Sequence, residues 1–295
     1  IADLRARAAS PDNPADAQLA ATLLALMARE DVLSAQPQRW LGAGGTPTTD
    51  EEYAGELTLS PSQFERALAC PLRWFLTTVG ADGPSNAAAS LGTLIHAVAE
   101  EHPHGTPEEL TEALEARIEE LGYNLDTWAG RVADRHARDI VNNLASYMEG
   151  IPGPVEVEQT VSAQIEGVTI RGRMDRLEHV DEGVRVTDLK TGKSGYSAKT
   201  VPDNPQLAAY QMALLASGER VAGARIALLG DDKLKYFDQP RLEGQALEDW
   251  RDKIRSVAAD ARGPYFEARP SDAACAYCSF DRLCPARERG HKVVE

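Results

Sequence analysis

Positive charge is what this 295-residue sequence is short of. Lys and Arg number 31 against 46 Asp and Glu, for a net charge of −15. That balance excludes a domain coated in basic residues over its whole surface, though not a local basic cleft. Long apolar runs are missing too. None approaches the ~20 residues that a membrane-spanning helix needs, so no membrane partner is expected. The opening Ile1-Ala2-Asp3-Leu4-Arg5 has neither the basic start nor the apolar stretch of a secretory signal. A cytoplasmic location is therefore expected, and the absent initiator methionine reads as the start of a piece of a longer polypeptide. No GxxxxGK[ST] phosphate loop occurs, which excludes ATP hydrolysis by that route. Cysteine is scarce as well, with four residues in all. In a reducing compartment, thiols that cluster are better read as metal ligands than as disulfides.

Hydrophobic residues make up 43% of the chain, ample for one large core or two smaller ones. Residues 1–40 read as helical, centred on Ala17 to Arg29. Gly42-Ala43-Gly44-Gly45-Thr46-Pro47 then opens a polar linker. Residues 1–55 are accordingly expected to be the tail of a preceding domain plus a connector, and 56–295 the main domain. Ser60-Pro61 is a helix start, with Ser60 as N-cap and Pro61 in the first turn. Cys70-Pro71 ends or interrupts that helix. Further helices are expected at 90–101, 106–121 and 126–149, the second opened by a capping box at Thr106-Pro107-Glu108-Glu109. After Pro154 the pattern changes to alternation. Val155–Glu158, Val168–Ile170 and Val184–Thr187 read as strands, with a hairpin turn at Asp181-Glu182-Gly183. A helix at 205–217, strands at 224–229 and 233–237, and a helix at 243–261 follow.

Four constellations carry chemistry. The first is Gly172-Arg173-Met174-Asp175 on one strand with Asp188-Leu189-Lys190 on the next. Side chains alternate along a strand, so Asp188 and Lys190 share a face, and the hairpin can bring Asp175 to them. Two carboxylates suit Mg²⁺ or Mn²⁺, and such an ion can hold a phosphodiester oxygen and acidify a bound water. Lys190 can orient that water or offset developing charge. Standing alone, D-x-K is also what a solvated strand edge looks like. The second is His96, a core histidine or a further metal ligand. The third is Gln206-x3-Tyr210, which share one helix face. The fourth is Cys275-x2-Cys278-x5-Cys284, to which Cys70 could add a fourth thiolate if the fold brings the ends of the domain together. Four thiolates bind zinc or an iron–sulfur cluster, and spacing does not decide between them. Basic residues gather around the first constellation, with Arg171, Arg173, Arg176, Arg185, Lys190, Lys193 and Lys199 all in one stretch.

Read in order, Cys70, Leu91-Gly92-Thr93-Leu94-Ile95-His96, Gly172-Arg173-Met174-Asp175, Asp188-Leu189-Lys190, Gln206-x3-Tyr210 and the cysteine cluster form a familiar series. Over residues 57–288 it resembles the RecB-like PD-(D/E)xK nucleases with an iron–sulfur staple, as in AddB-type and actinobacterial AdnAB-type helicase–nucleases. The resemblance implies an α/β restriction-endonuclease-like core: a small mixed sheet flanked by helices, a helical insertion at about 100–150, and an Fe–S staple joining the N- and C-terminal parts. It implies Asp175 and Asp188 as metal ligands with His96, Lys190 as the catalytic lysine, and Gln206 and Tyr210 on the DNA side. Cys70, Cys275, Cys278 and Cys284 would hold a [4Fe–4S] cluster, with Zn²⁺ the alternative. The implied activity is a Mg²⁺- or Mn²⁺-dependent deoxyribonuclease acting on single-stranded ends in double-strand break processing. Its implied partners are a helicase motor in the same polypeptide and a second helicase–nuclease subunit. The other reading of the same motifs is a catalytically auxiliary DNA-binding or scaffold module of a helicase complex.

Overall fold

The computed structural model describes residues 1–9, 13–36, 51–81, 91–118, 122, 124–151, 153–192, 195–276, 278–281 and 284–287. The expected linker around Gly42–Pro47, the end of the helix expected at 106–121, and Lys193 lie outside the described residues. The chain divides into two compact units, Ile1–Glu52 and Tyr53–Glu295. The first holds α1 (Ala2–Ala9) and α2 (Pro14–Arg29). Asn13 caps α2 by accepting from the Asp16 amide, and the Arg7 guanidinium ties the two helices through Asp16.

The second unit is built on a six-stranded mixed sheet. Its strands are β1 (Leu57–Leu59), β2 (Val155–Ile165), β3 (Val168–Val180), β4 (Gly183–Lys190), β5 (Val221–Leu228) and β6 (Lys235–Pro240). β2 pairs antiparallel with β3 along its length. The opposite edge of β3 is shared. β1 pairs parallel with Val168–Ile170 at one end, and β4 pairs antiparallel with Arg176–Val180 at the other. β5 runs parallel to β4, and β6 closes the sheet antiparallel to β5. The Asp181-Glu182 turn joins β3 to β4 as the sequence suggests. β2 and β3 both run longer than their sequence patterns suggest, and β1 carries no strand signal of its own.

Helices cover both faces. α3 (Pro61–Ala69), α4 (Pro71–Thr78), α8 (Pro205–Ala216) and α9 (Gly244–Ala261) share a core with Val168, Ile170, Val184, Val186, Ile226 and Leu228. α5 (Leu91–Glu101), α6 (Pro107–Glu115) and α7 (Trp128–Glu149) form the other core, which receives Leu189, Ala227 and Leu229. Alternation along β4 and β5 thus feeds two cores, one on each face, as an α/β layer arrangement requires.

The helix starts follow from local chemistry. Ser60 Oγ accepts from the Gln63 amide while Gln63 Oε1 accepts from the Ser60 amide, and Thr106 and Glu109 do the same for α6. Cys70 is extended (φ −163°) because Pro71 follows it, so α3 stops and α4 begins afresh at the proline. A final short helix, α10 (Asp272–Cys275), lies in the C-terminal segment. That segment returns to α4: the Leu72 amide donates to Glu267 O, and Arg73 Nη1 donates to Ala274 O at 2.7 Å.

Candidate active site

The β3–β4 ladder stops at the pair Arg176–Thr187. In that register the next pair would be Asp175 with Asp188. Instead the strands part there, and Asp175 Oδ2 accepts the Leu189 amide at 2.7 Å. The two carboxylates therefore sit at the fork of a splayed hairpin, beyond the last rung of the β3–β4 ladder.

β2 is disturbed at the same level. Glu158 lies between the pairs Val157–Arg176 and Gln159–Met174, opposite Asp175, with φ +54°. A glutamate in the left-handed region costs about 1–3 kcal/mol, and such positions concentrate at functional sites. Face alternation slips by one residue here. Val168, Ile170 and Met174 point into the core under α8, and so does Leu177, while Glu178 reaches Tyr147 of α7 on the other face.

Three side chains converge at the fork. His96 of α5, Glu158 of β2 and Asp175 of β3 offer ligand atoms that all lie within 4.8 Å of one another. His96 Nδ1 is 3.3 Å from Asp175 Oδ1. That hydrogen bond holds the His96 pKa above its ordinary value, against the opposing effect of burial. The Glu158 carboxyl is raised by burial, with Arg173 pulling it down and Asp175 pushing it up.

Asp188, read from sequence as a ligand of the same ion, is not in that group. It is 6% exposed and turned toward β4's own lysine and α8. Gln206 Nε2 donates to Asp188 Oδ1 at 2.8 Å. Lys190 Nζ lies 2.7 Å from Asp188 Oδ2, so the ammonium pairs with the oxygen that Gln206 leaves free. Burial raises the Asp188 pKa, and Lys190 opposes it. Burial also works to neutralise Lys190, yet Asp188 outweighs it and the lysine is held above its usual value as a cation. Gln206 bridges the two, its Oε1 accepting from Lys190 Nζ at 3.3 Å.

Gln206 and Tyr210, the pair expected to face DNA, make protein contacts. Tyr210 is 6% exposed, and its hydroxyl donates to the Arg173 carbonyl at 2.7 Å. It braces the unpaired edge of β3 next to Asp175. Gly172 completes that brace. A Cβ there would meet Pro61 Cδ at 2.6 Å and Tyr210 Cε1 at 3.0 Å, so glycine lets α3 and α8 close on the strand.

Two contributors escape a reading of the sequence. Glu158 is one; its signal is the Glu166-Gly167 turn, whose hairpin register sets it against Asp175. Glu65 of α3 is the other. It feels Lys190 and Asp188 electrostatically, and burial raises its pKa. Tyr196 stands in the same field. No pattern marks Glu65, because it reaches the site through packing of α3 on α8.

Mixed carboxylate and imidazole donors within 4.8 Å of one another, with the buried Asp188 carboxylate beside them, suit a hard divalent ion such as Mg²⁺ or Mn²⁺. The four cysteines are free and partly buried. Among the described residues their sulfurs do not form a group as tight as the His96 one, so the thiolates expected to hold a [4Fe–4S] cluster, or zinc in its place, are not gathered around a single point. The segments that carry these cysteines do approach each other within the second unit. Arg73, three residues after Cys70, bonds to the residue before Cys275, and Arg287 lies in the field of Cys275 and Cys284.

Residues 58–285 match the PD-(D/E)XK nuclease superfamily. No curated protein matches the chain. Among solved structures, that of a protein named SSO0001 is similar at 17% identity and a TM-score of 0.42, covering 88% of this chain and 97% of that one. A protein from Eubacterium rectale, provisionally named an exonuclease, is similar at 13% identity and a TM-score of 0.43, covering 79% of this chain and 94% of its own.

Proposed function

This chain belongs to the PD-(D/E)XK nuclease superfamily, and from that premise we propose that it is a Mg²⁺- or Mn²⁺-dependent deoxyribonuclease. The supporting observation is the fork of β3 and β4, where His96, Glu158, Asp175, Asp188 and Lys190 approach one another beyond the last rung of the ladder between those two strands.

His96, Glu158 and Asp175 would hold the ion, with Asp188 turning to it from Lys190. The bound ion would supply charge neutralisation at the scissile phosphate and a more acidic water. The chain's own residues do the rest. The Leu189 amide fixes the Asp175 carboxylate, and Gln206 fixes Asp188 and Lys190 relative to each other. Lys190, kept cationic, stands where negative charge grows on the phosphate during attack, and a fixed cation is most effective there.

The finer reading follows the order of the motifs. The domain acts on single-stranded DNA ends in double-strand break processing, as an exonuclease fed by a helicase motor. That motor lies in the same polypeptide, whose tail is residues 1–55, and pairs with a second helicase–nuclease subunit in the cytoplasm. Cys70, Cys275, Cys278 and Cys284 carry a [4Fe–4S] cluster that staples the chain ends. The contact of α4 with the segment before Cys275 supports this part.

The test is degradation of end-labelled single-stranded DNA in Mn²⁺ by wild type and Asp188→Ala. Wild type should cut, and the variant should lose activity by roughly a hundredfold or more. A folded wild type that cuts nothing would point to an auxiliary DNA-binding module, or to a nuclease that needs its motor to feed it.

A further inference from the structure

Arg173 sits between the metal-ligand group and the solvent. Its Nη2 donates to Glu100 Oε1 at 2.8 Å, and its Nε pairs with Glu158 Oε2. Glu100 lies one turn beyond His96 on α5, so the guanidinium spans α5 and β2 across the mouth of the group. Its backbone is pinned: Tyr210 holds its carbonyl, and Pro61 packs on Gly172 beside it. Its side chain is 58% exposed, whereas that of Glu158 is 16% exposed. A pinned backbone thus carries an exposed, outward-reaching cation.

We propose that Arg173 is a phosphate-binding residue held in reserve: it neutralises Glu158 while the metal site is empty and moves to a DNA phosphate when a divalent ion takes Glu158. This rests on the nuclease reading and adds a substrate-contacting residue to it. The electrostatics favour the exchange. An ion that takes Glu158 competes with Arg173 for the same carboxylate charge, and an ion carrying two positive charges repels a guanidinium beside it. The remaining tie, to half-exposed Glu100, is a surface pair worth about 0.2–1 kcal/mol and is easily given up. A phosphodiester offers the planar guanidinium two oxygens to grip at once, a better partner than a carboxylate already claimed.

The exchange makes a prediction in two opposite directions. In Arg173→Gln the competing cation is gone, so Mn²⁺ titrated into the 295-residue protein and followed by electron paramagnetic resonance should bind about threefold tighter. The same variant should bind a single-stranded oligonucleotide about tenfold more weakly in Ca²⁺, and its logarithmic salt dependence should lose about one unit of slope. Arg173→Lys should keep the slope and recover part of the affinity. A merely structural role would weaken both ligands together. Mn²⁺ affinity that stays unchanged or falls in Arg173→Gln overturns the proposal, as does an unchanged salt slope. A wild type that binds Mn²⁺ but cuts no DNA counts against the nuclease reading instead, and the Mn²⁺ comparison still decides the role of Arg173.

Discussion

Glu65 shows how a single residue's charge is set by company it does not keep in sequence. It sits on α3, yet the groups that act on it include Lys190 and Asp188 of β4 as well as neighbouring Arg66. Burial is the largest influence and raises its pKa above the ordinary 4.5; Lys190 and Arg66 only partly compensate. The sign of the consequence follows from linkage. A carboxyl whose folded pKa is raised favours the folded state when protonated. That contribution is complete below pH 4.5 and is lost as the pH rises through the raised folded value. Glutamine imitates the protonated form at every pH. Without added metal, Glu65→Gln should therefore melt at a higher temperature than wild type at pH 7, and the gap should close as the pH falls through 4.5. Thermal melts across that range decide it, and a gap independent of pH would show that Glu65 is not strained by its burial.

Among the elements, the site is the product of one strand edge that changes partner midway. β2 pairs with one edge of β3 throughout, while the other edge pairs with β1 at its start and β4 at its end, and the stretch left open on that edge carries Gly172 and Asp175. α3 and Tyr210 fill what the missing ladder leaves open. Gly172→Ala pushes a methyl group against the rigid Pro61 ring and should cost about 1–3 kcal/mol by overpacking, read as a lower urea midpoint. Gly195→Ala, where an added Cβ meets nothing within 4 Å, should change stability by less than about 0.5 kcal/mol. Equal effects at the two positions would mean that α3 does not press on the strand as described.

Across the whole second unit, the segment from Tyr53 to Arg73 lies against the one from Arg262 to Ala274. The Tyr53 amide donates to Arg262 O, the Leu72 amide to Glu267 O, and Arg73 to Ala274 O. A cluster held by Cys70 and the Cys275–Cys284 group would make that closure permanent. Restricting a loop of this length in the unfolded chain is worth about 5 kcal/mol on the chain-entropy view. Protein isolated without oxygen should contain roughly four irons and as many sulfides per chain. Changing all four cysteines to Ala should remove the iron, lower the unfolding midpoint sharply and abolish cleavage. Zinc in place of iron in the isolated protein would defeat the iron–sulfur assignment, and full cleavage by the quadruple variant would defeat the staple.

The sequence by itself determined what depends on neighbours along the chain. The caps at Ser60 and Thr106, the break at Cys70-Pro71, the β3–β4 turn and the shared face of Asp188 and Lys190 are all local in cause, and each is legible within a few residues. Tertiary structure alone decided the company each residue keeps. β1 has too few residues to signal a strand and exists because β3 offers an edge. Glu158 joins the ligand group through a left-handed kink that no propensity encodes. Glu65 reaches Lys190 because α3 packs on α8, and Tyr210 braces β3 from within because its hydroxyl finds the Arg173 carbonyl. These are contacts between segments far apart in sequence, and their geometry comes into being only when the two cores close on the sheet.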